Sequence, residues 1–221
     1  MARVYKRRQT SQRYTARAFL PYVTALGQVA LAWNDLQESF ADLFWTSTLR
    51  ERPQGGDSID YTSLRIWHSL RSDRQQRGIL RDLLEHLPGE WQHPSFIQAA
   101  KDALKEADKL EDARNDAIHS PLFYSPNSLY GDMTRKEKVA PSTWLFNPRA
   151  VKLSERESLL TEFRYCRDRA IELSDYVRAI NSAVVNPHLP WPGKLKLRLR
   201  QGQSQAQPRR PHDRKARKIS G

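Results

Sequence analysis

The stretch YVTALGQVALAWNDLQESFADLFWTSTL, residues 22–49, decides the fold class of this chain. Apolar side chains recur along it at steps of three and four, which is the period of a helix with one buried face. The stretch therefore predicts a long amphipathic helix that packs against other helices. The apolar positions are Val23, Leu26, Val29, Ala30, Trp33, Leu36, Phe40, Leu43 and Phe44.

Two further segments repeat the helical period. The first covers residues 62–87, and Ser72-Asp73 within it either caps a second helix or forms a polar turn inside a single helix. The next helix is predicted to begin after Pro94, which suits a first helical turn. Ser120-Pro121 ends it, because proline cannot continue the hydrogen-bonding pattern.

Residues 121–153 differ from the rest, since they are rich in proline, aromatic and turn residues. We expect a short irregular or β-hairpin insertion, with LFYS (122–125) and STWLF (142–146) as its strands. SERE, residues 154–157, matches a capping box and is predicted to open a last helix that ends near Val185.

These segments predict an all-α fold, an antiparallel helical bundle with the insertion placed before the last helix. Residues 1–20 form a basic N-terminal arm in this division, and residues 21–186 form the helical domain. Residues 187–221 are predicted to be a Pro-rich linker followed by a basic, disordered tail.

The net charge of +12 comes from the two ends of the chain. Residues 1–20 and 190–221 account for +6 and +9, which leaves residues 21–189 with −3. Basic ends of this kind bind nucleic acid through release of counterions, and the alternative is that they only keep the chain in solution. The candidate nucleic-acid contacts in the tail are Arg209, Arg210, Arg214, Lys215, Arg217 and Lys218.

Arg74 and Arg77 are further candidates, as cations that line a nucleic-acid cleft. The alternative is that they are exposed charges on an amphipathic helix. Cys166 is the single cysteine, so the chain forms no internal disulfide, and a reducing cytoplasm is the expected location. No apolar run approaches the roughly 20 residues that span a bilayer, so no membrane partner is expected.

The motif RNDAIHS, residues 114–120, carries groups that can cleave RNA without a metal. His119 can move protons to and from the reacting oxygens, because an imidazole titrates near neutral pH. Arg114 has the planar fork that suits phosphate oxygens. Asn115 lies four residues before His119 and shares its helix face. The chain has no P-loop, no Rossmann glycine pattern, no H-E-x-x-H motif and no zinc ligand set, and we expect no cofactor.

RNDAIH resembles the R-x4-6-H motif of HEPN domains, including the polar residue after the arginine. The resemblance implies a compact helical bundle that works as a metal-independent endoribonuclease on RNA, as a homodimer, in a toxin–antitoxin or antiviral defence setting. It further implies that Arg114 holds the phosphate, that His119 does the proton chemistry and that Asn115 orients the substrate or the histidine. An antitoxin or a defence protein is the implied partner. Some members carry a tyrosine two positions after the histidine, and Pro121 stands there in this chain.

Three alternatives stay open at this point. RDLLEH, residues 81–86, has the same arginine–histidine spacing, but Leu83 and Leu84 fit the core face of their helix, so RNDAIH is preferred. The motif could instead be an ordinary helix end, where basic residues favour the helix dipole, and the bundle would then be a non-catalytic binding module.

The third alternative is a metal-binding bundle of carboxylates and histidine. Its ligands would come from the acidic stripe that precedes His119 and from the first helix. The candidates are Asp108, Asp112, Asp116, His119, Asp35, Glu38 and Asp42. The first helix contains no carboxylate-x-x-His pair to match Asp116 and His119, as such a site would use.

Overall fold

The structure is a computed structural model of the 221-residue chain. It describes residues 2–49, 61–87, 93–124, 139–141, 148–156, 158–186 and 188–197, with side chains from residue 16 onward.

The described residues are predominantly helical, which confirms the predicted all-α class. The elements are α1 (Ala2–Thr48), α2 (Thr62–Ser69), α3 (Asp73–Glu85), α4 (Pro94–His119), β1 (Leu122–Tyr124), β2 (Val139–Pro141), α5 (Pro148–Ser154) and α6 (Leu159–Val185). No helix in these described ranges combines the length and the apolar character needed to cross a membrane.

Helix α1 forms one wall of the bundle. Its 47 residues span about 70 Å at 1.5 Å per residue, and Pro21 lies inside it. Residues 2–20, which lie in the predicted N-terminal arm, are helical and continuous with the rest of α1. The predicted apolar face packs inward from Val29 onward, whereas Val23 is 61% exposed and is an error in that prediction.

Helices α1 and α6 share the largest interface and run parallel. Gln28 accepts a hydrogen bond from Arg167 at 2.9 Å, and seven residues further along both helices Ser174 donates to Asp35 at 2.8 Å. Neighbouring helices α3 and α4 run in opposite directions, because the chain reverses between them. The bundle therefore contains a parallel pair, α1 and α6, beside antiparallel neighbours, and the prediction of an antiparallel bundle did not contain such a pair.

Two helix starts test the predicted caps. Ser72 is the N-cap of α3, and its hydroxyl accepts from the backbone N–H of Gln75 at 3.3 Å, so the segment does divide into two helices. The predicted capping box at residues 154–157 is wrong, because Ser154 is the last residue of α5. Ser158 caps α6 instead, and it accepts from Thr161 at 3.3 Å.

The insertion before α6 contains a two-stranded antiparallel sheet and a short helix. Leu122 pairs with Pro141 and Tyr124 pairs with Val139, so the first predicted strand is confirmed in position. The second strand precedes the predicted residues 142–146, which lie outside the described part of the chain. Helix α5 was not predicted from the sequence.

Residues 188–197 form a strap along the bundle, which we call the C-terminal strap. The ring of Trp191 stacks on His93 with 4.9 Å between centroids, and it lies 5.8 Å from the ring of Phe96. The hydroxyl of Tyr176 donates to the carbonyl of Gly193 at 3.1 Å. The predicted linker is therefore docked over these residues, because its apolar side chains find partners on α4 and α6. The predicted disordered tail from residue 198 lies outside the described residues.

Candidate functional site

The motif residues Arg114, Asn115 and His119 occupy the last two turns of α4, as the sequence predicted. Helix α4 ends at His119, and Ser120 adopts an extended conformation that turns the chain toward β1. The motif therefore lies on a regular helix whose end is fixed by the break at Ser120-Pro121.

The guanidinium of Arg114 is held on two sides. Its Nη1 donates to Oδ1 of Asn115 at 2.8 Å, and its central carbon lies 5.4 Å from the centre of the Trp33 ring. Asn115 thus orients the arginine, whereas the HEPN resemblance implies that it orients the substrate or the histidine.

Arg114 keeps its charge uncompensated within the described residues, because no carboxylate of this part of the chain pairs with it. Its Nε is buried and has no acceptor among the same residues. A half-buried cation without a counterion favours an external anion, since burial weakens the competition from water.

His119 is exposed and pairs with no group that the structure describes. Five residues along an ideal helix correspond to a rotation of about 140°, so Arg114 and His119 leave α4 in different directions. The arginine turns toward α1, and the imidazole faces solvent. The side chains of Arg114 and His119 in one chain therefore do not converge on a single point.

Arg77 is the centre of an ion-pair network beside the motif. Its side chain is 0% exposed, its Nε donates to Asp108 at 2.9 Å and its Nη2 donates to Glu111 at 2.6 Å. The guanidinium also lies 5.6 Å from the centre of the Trp33 ring. This corrects the alternative that Arg77 is an exposed charge, because its side chain is buried and its ion pairs join α3 to α4.

Two other arginines of α3 share the same carboxylates. Arg74 lies 3.5 Å from Glu111 and is 74% exposed, so it stays accessible to a ligand. Arg81 forms an ion pair with Asp108. We call this set the arginine–carboxylate cluster: Arg74, Arg77, Arg81, Asp108 and Glu111.

The rival motif RDLLEH is explained by the fold. Arg81 belongs to the arginine–carboxylate cluster, and His86 is the C-cap of α3, with its Nδ1 2.7 Å from the carbonyl oxygen of Asp82. Arg81 and His86 thus both make contacts within the chain. These contacts explain RDLLEH without a functional role, so RNDAIH remains the preferred motif. The tail candidates from Arg209 to Lys218 lie outside the described residues.

Trp33 is a residue beside the motif whose contacts to Arg77 and Arg114 the sequence did not predict. It is 1% exposed, and its indole Nε1 donates to Oδ2 of Asp73 at 2.6 Å. The apolar spacing of residues 22–49 predicts only that Trp33 lies on the buried face of α1. The available signal was on α3, where Arg74, Arg77 and Arg81 recur at helical spacing and indicate a charged face that requires partners.

The carboxylates proposed as metal ligands are engaged elsewhere or lie apart. Asp108 pairs with arginines of α3, and Asp35 accepts from Ser174 and Arg178. Burial alone would raise the pKa of Asp35, but these two hydrogen bonds and the charge of Arg178 bring it below its ordinary value of 3.8. Within the described ranges no three His, Cys, Asp or Glu side chains converge as a metal site would require.

An open groove of about 440 Å³ runs along the other side of α4, between α4, α5, α6 and the C-terminal strap. Asp112 and Asp116 line it together with Lys152 and Arg169, so its walls carry both signs of charge. A second cavity of about 310 Å³ adjoins it under the strap. Neither cavity is lined by Arg114 or His119.

Comparison of the chain with protein-family models, with curated proteins and with solved structures yields no match. The HEPN resemblance therefore depends on the six residues 114–119 and on the helical class.

Proposed function

We propose that this protein is a metal-independent endoribonuclease of the HEPN type, acting as a homodimer in a toxin–antitoxin or antiviral defence setting. The observation that carries the proposal is the state of Arg114. It is half-buried, oriented by Asn115 and Trp33, and without a carboxylate partner among the described residues. Its neighbour Arg77, in contrast, pairs with the carboxylates of Asp108 and Glu111.

In this reaction the 2′-oxygen attacks the adjacent phosphorus and the bond from phosphorus to the 5′-oxygen breaks. An imidazole takes the proton of the 2′-hydroxyl, and a protonated group returns one to the leaving oxygen. Negative charge grows on the non-bridging oxygens meanwhile. The guanidinium of Arg114 stabilises that charge, and its fixed orientation lowers the reorganisation needed to do so.

The proposal includes a second copy of the chain because of the geometry of α4. Arg114 and His119 point about 140° apart on one helix. In the proposed dimer the two α4 ends meet at a two-fold axis, with the imidazole of one copy opposite the guanidinium of the other. Exposed His119, which has no described partner, is free to take part in such a site.

The angle of about 140° between Arg114 and His119 also fits a second function, in which the two residues do not act together. This function is a non-catalytic module that binds phosphate groups of a nucleic acid through Arg114. In that case His119 is an ordinary basic residue at a helix C-terminus, where it interacts favourably with the helix dipole. The endoribonuclease requires the imidazole of His119, whereas the binding module does not.

The test is cleavage of single-stranded RNA by the purified full chain in the presence of EDTA. His119→Ala is expected to lower the rate by at least two orders of magnitude, the usual contribution of a positioned acid or base. His86→Ala is the matched control, since His86 is an exposed histidine at the end of the rival motif. Both variants should keep the helical circular-dichroism signal of the wild type.

Undiminished cleavage by His119→Ala would refute the role of that residue, and loss of activity in His86→Ala alone would transfer the role to the rival motif. A wild-type protein that binds RNA and never cleaves it would establish the binding module instead.

A further inference from the structure

Two guanidinium groups from different helices pack against the ring of Trp33. Those of Arg77 on α3 and Arg114 on α4 lie 5.6 and 5.4 Å from its centre. The two cations are therefore at most about 11 Å apart. The hydrogen bond from the indole to Asp73 fixes the ring, so it is a rigid platform for both.

Positive charge exceeds negative charge around this platform. Arg74, Arg77 and Arg81 share two carboxylates, those of Asp108 and Glu111. Arg114 adds a fourth cation, and Asp73 adds a third anion. The side chain of Arg77 is fully buried, so water screens its repulsion with Arg114 only in part, and an additional anion near the two would be favourable.

Two buried donors at the platform have no acceptor. Nη1 of Arg77 and Nε of Arg114 are both buried, and neither makes a hydrogen bond to a described residue. Buried polar groups are normally paired, and each unpaired one costs stability. The two orphan donors belong to the two arginines that share the Trp33 ring.

We infer that Arg77 and Arg114, which both pack on the ring of Trp33, form a binding site for one phosphate-sized oxyanion, which enters beside Arg114. Arg114 is the least buried of the three side chains, so it is the point of access. The oxyanion supplies the missing negative charge and accepts from the unpaired guanidinium donors, a geometry that suits the planar fork of arginine.

This inference rests on the proposed role of Arg114 as the phosphate-binding residue, and it extends that role in two ways. It adds Arg77 as a second cation, held from its other side by Asp108 and Glu111. It also places the whole site within one chain, so that phosphate binding requires neither His119 nor a second copy.

The test is a titration of the ¹⁵N-labelled full chain with inorganic phosphate, at constant ionic strength against sodium chloride. The readout is the indole N–H signal of Trp33, which is identified by its loss in Trp33→Phe. We expect a saturable shift in the wild type and in His119→Ala. Arg114→Gln should weaken the affinity at least tenfold, whereas the matched control Arg65→Gln, an exposed arginine of α2, should not change it.

Arg77→Lys tests the second cation, because it keeps the charge and loses the fork. It is expected to weaken phosphate binding severalfold, and unchanged affinity in a folded Arg77→Lys would remove Arg77 from the site. The comparison of Arg114→Gln with Arg65→Gln tests phosphate binding at Arg114, and Arg77→Lys tests the extension of the site to a second cation.

A shift of the same size in chloride, or one undiminished by Arg114→Gln, would overturn the site. Cleavage of RNA by a protein whose Trp33 signal ignores phosphate would refute this inference and leave the proposed function standing. Saturable phosphate binding without any cleavage would support the site and refute the catalytic proposal.

Discussion

The buried guanidinium of Arg77 donates to Glu111 at 2.6 Å, and this contact joins α3 to α4 next to the motif. The exposed fraction of the Glu111 side chain is 13%, so removing the arginine would leave a largely buried carboxylate without its main partner.

Arg77→Met is therefore expected to lower the free energy of unfolding by about 3 kcal/mol, since breaking a buried pair strands a charge. Urea denaturation at neutral pH measures the change. Arg74→Met is the matched control, and it should cost less than about 1 kcal/mol because Arg74 is mostly exposed and lies 3.5 Å from the same carboxylate. Equal effects of the two substitutions would contradict the central role of Arg77.

Asp35 gives a prediction about pH. Its pKa in the folded chain lies below 3.8, because hydrogen bonds from Ser174 and Arg178 and the charge of Arg178 outweigh the effect of burial. A depressed pKa adds stability above the unfolded pKa, and that stability is lost as the pH falls through the folded pKa. Asp35→Asn should cost about 1 kcal/mol at pH 7 and much less near pH 3.

Urea denaturation at both pH values checks this, with Asp42→Asn as the control, since Asp42 is an exposed acid on the same helix. A loss from Asp35→Asn that is equally large at both pH values would mean that its ionisation plays no part.

Ser154 and Ser158 are four residues apart, but only Ser158 caps α6. Ser158→Ala is expected to destabilise the protein by about 1 kcal/mol, because the backbone N–H of Thr161 loses its acceptor. Ser154→Ala should have a smaller effect, since Ser154 ends α5 and its hydroxyl donates to the carbonyl of Val151 in its own helix. Thermal unfolding of the two variants checks the order, and the reverse order would restore the capping box at residues 154–157.

The C-terminal strap predicts a difference between two truncations. A chain that ends at Leu197 should keep the stability of the full protein, whereas one that ends at Asn186 should lose roughly 1–3 kcal/mol through exposure of the apolar surface that Trp191 and its neighbours cover. Denaturant midpoints measure both. Equal midpoints would indicate that the strap contributes nothing to folding.

The helical class was predictable because the apolar period of α1 and α4 is long and uninterrupted. Ser72 and Pro94 could also be read directly, since a cap and a first-turn proline act on neighbouring backbone. The start of α6 was misplaced because Ser154 fits the capping box in sequence, while the existence of α5 depends on packing of Ala150 and Leu153 that no local pattern reveals.

The motif itself was predictable in position and in type, but its surroundings were not. Arg77 looks like a surface charge in a helix of polar residues, and only the approach of α4 buries it against Asp108 and Glu111. The contacts of the strap were not predictable either, because its prolines suggest a linker and its partner His93 lies far away in the sequence.

The course of the strap determines where a probe attached to it would report. From Trp191, beside the start of α4, the chain doubles back until Leu197 lies against residues near the middle of α4 and α6. A fluorescent dye or spin label placed at position 197 would thus sense events along the flank of the bundle, and a label at position 186 would sense its tip.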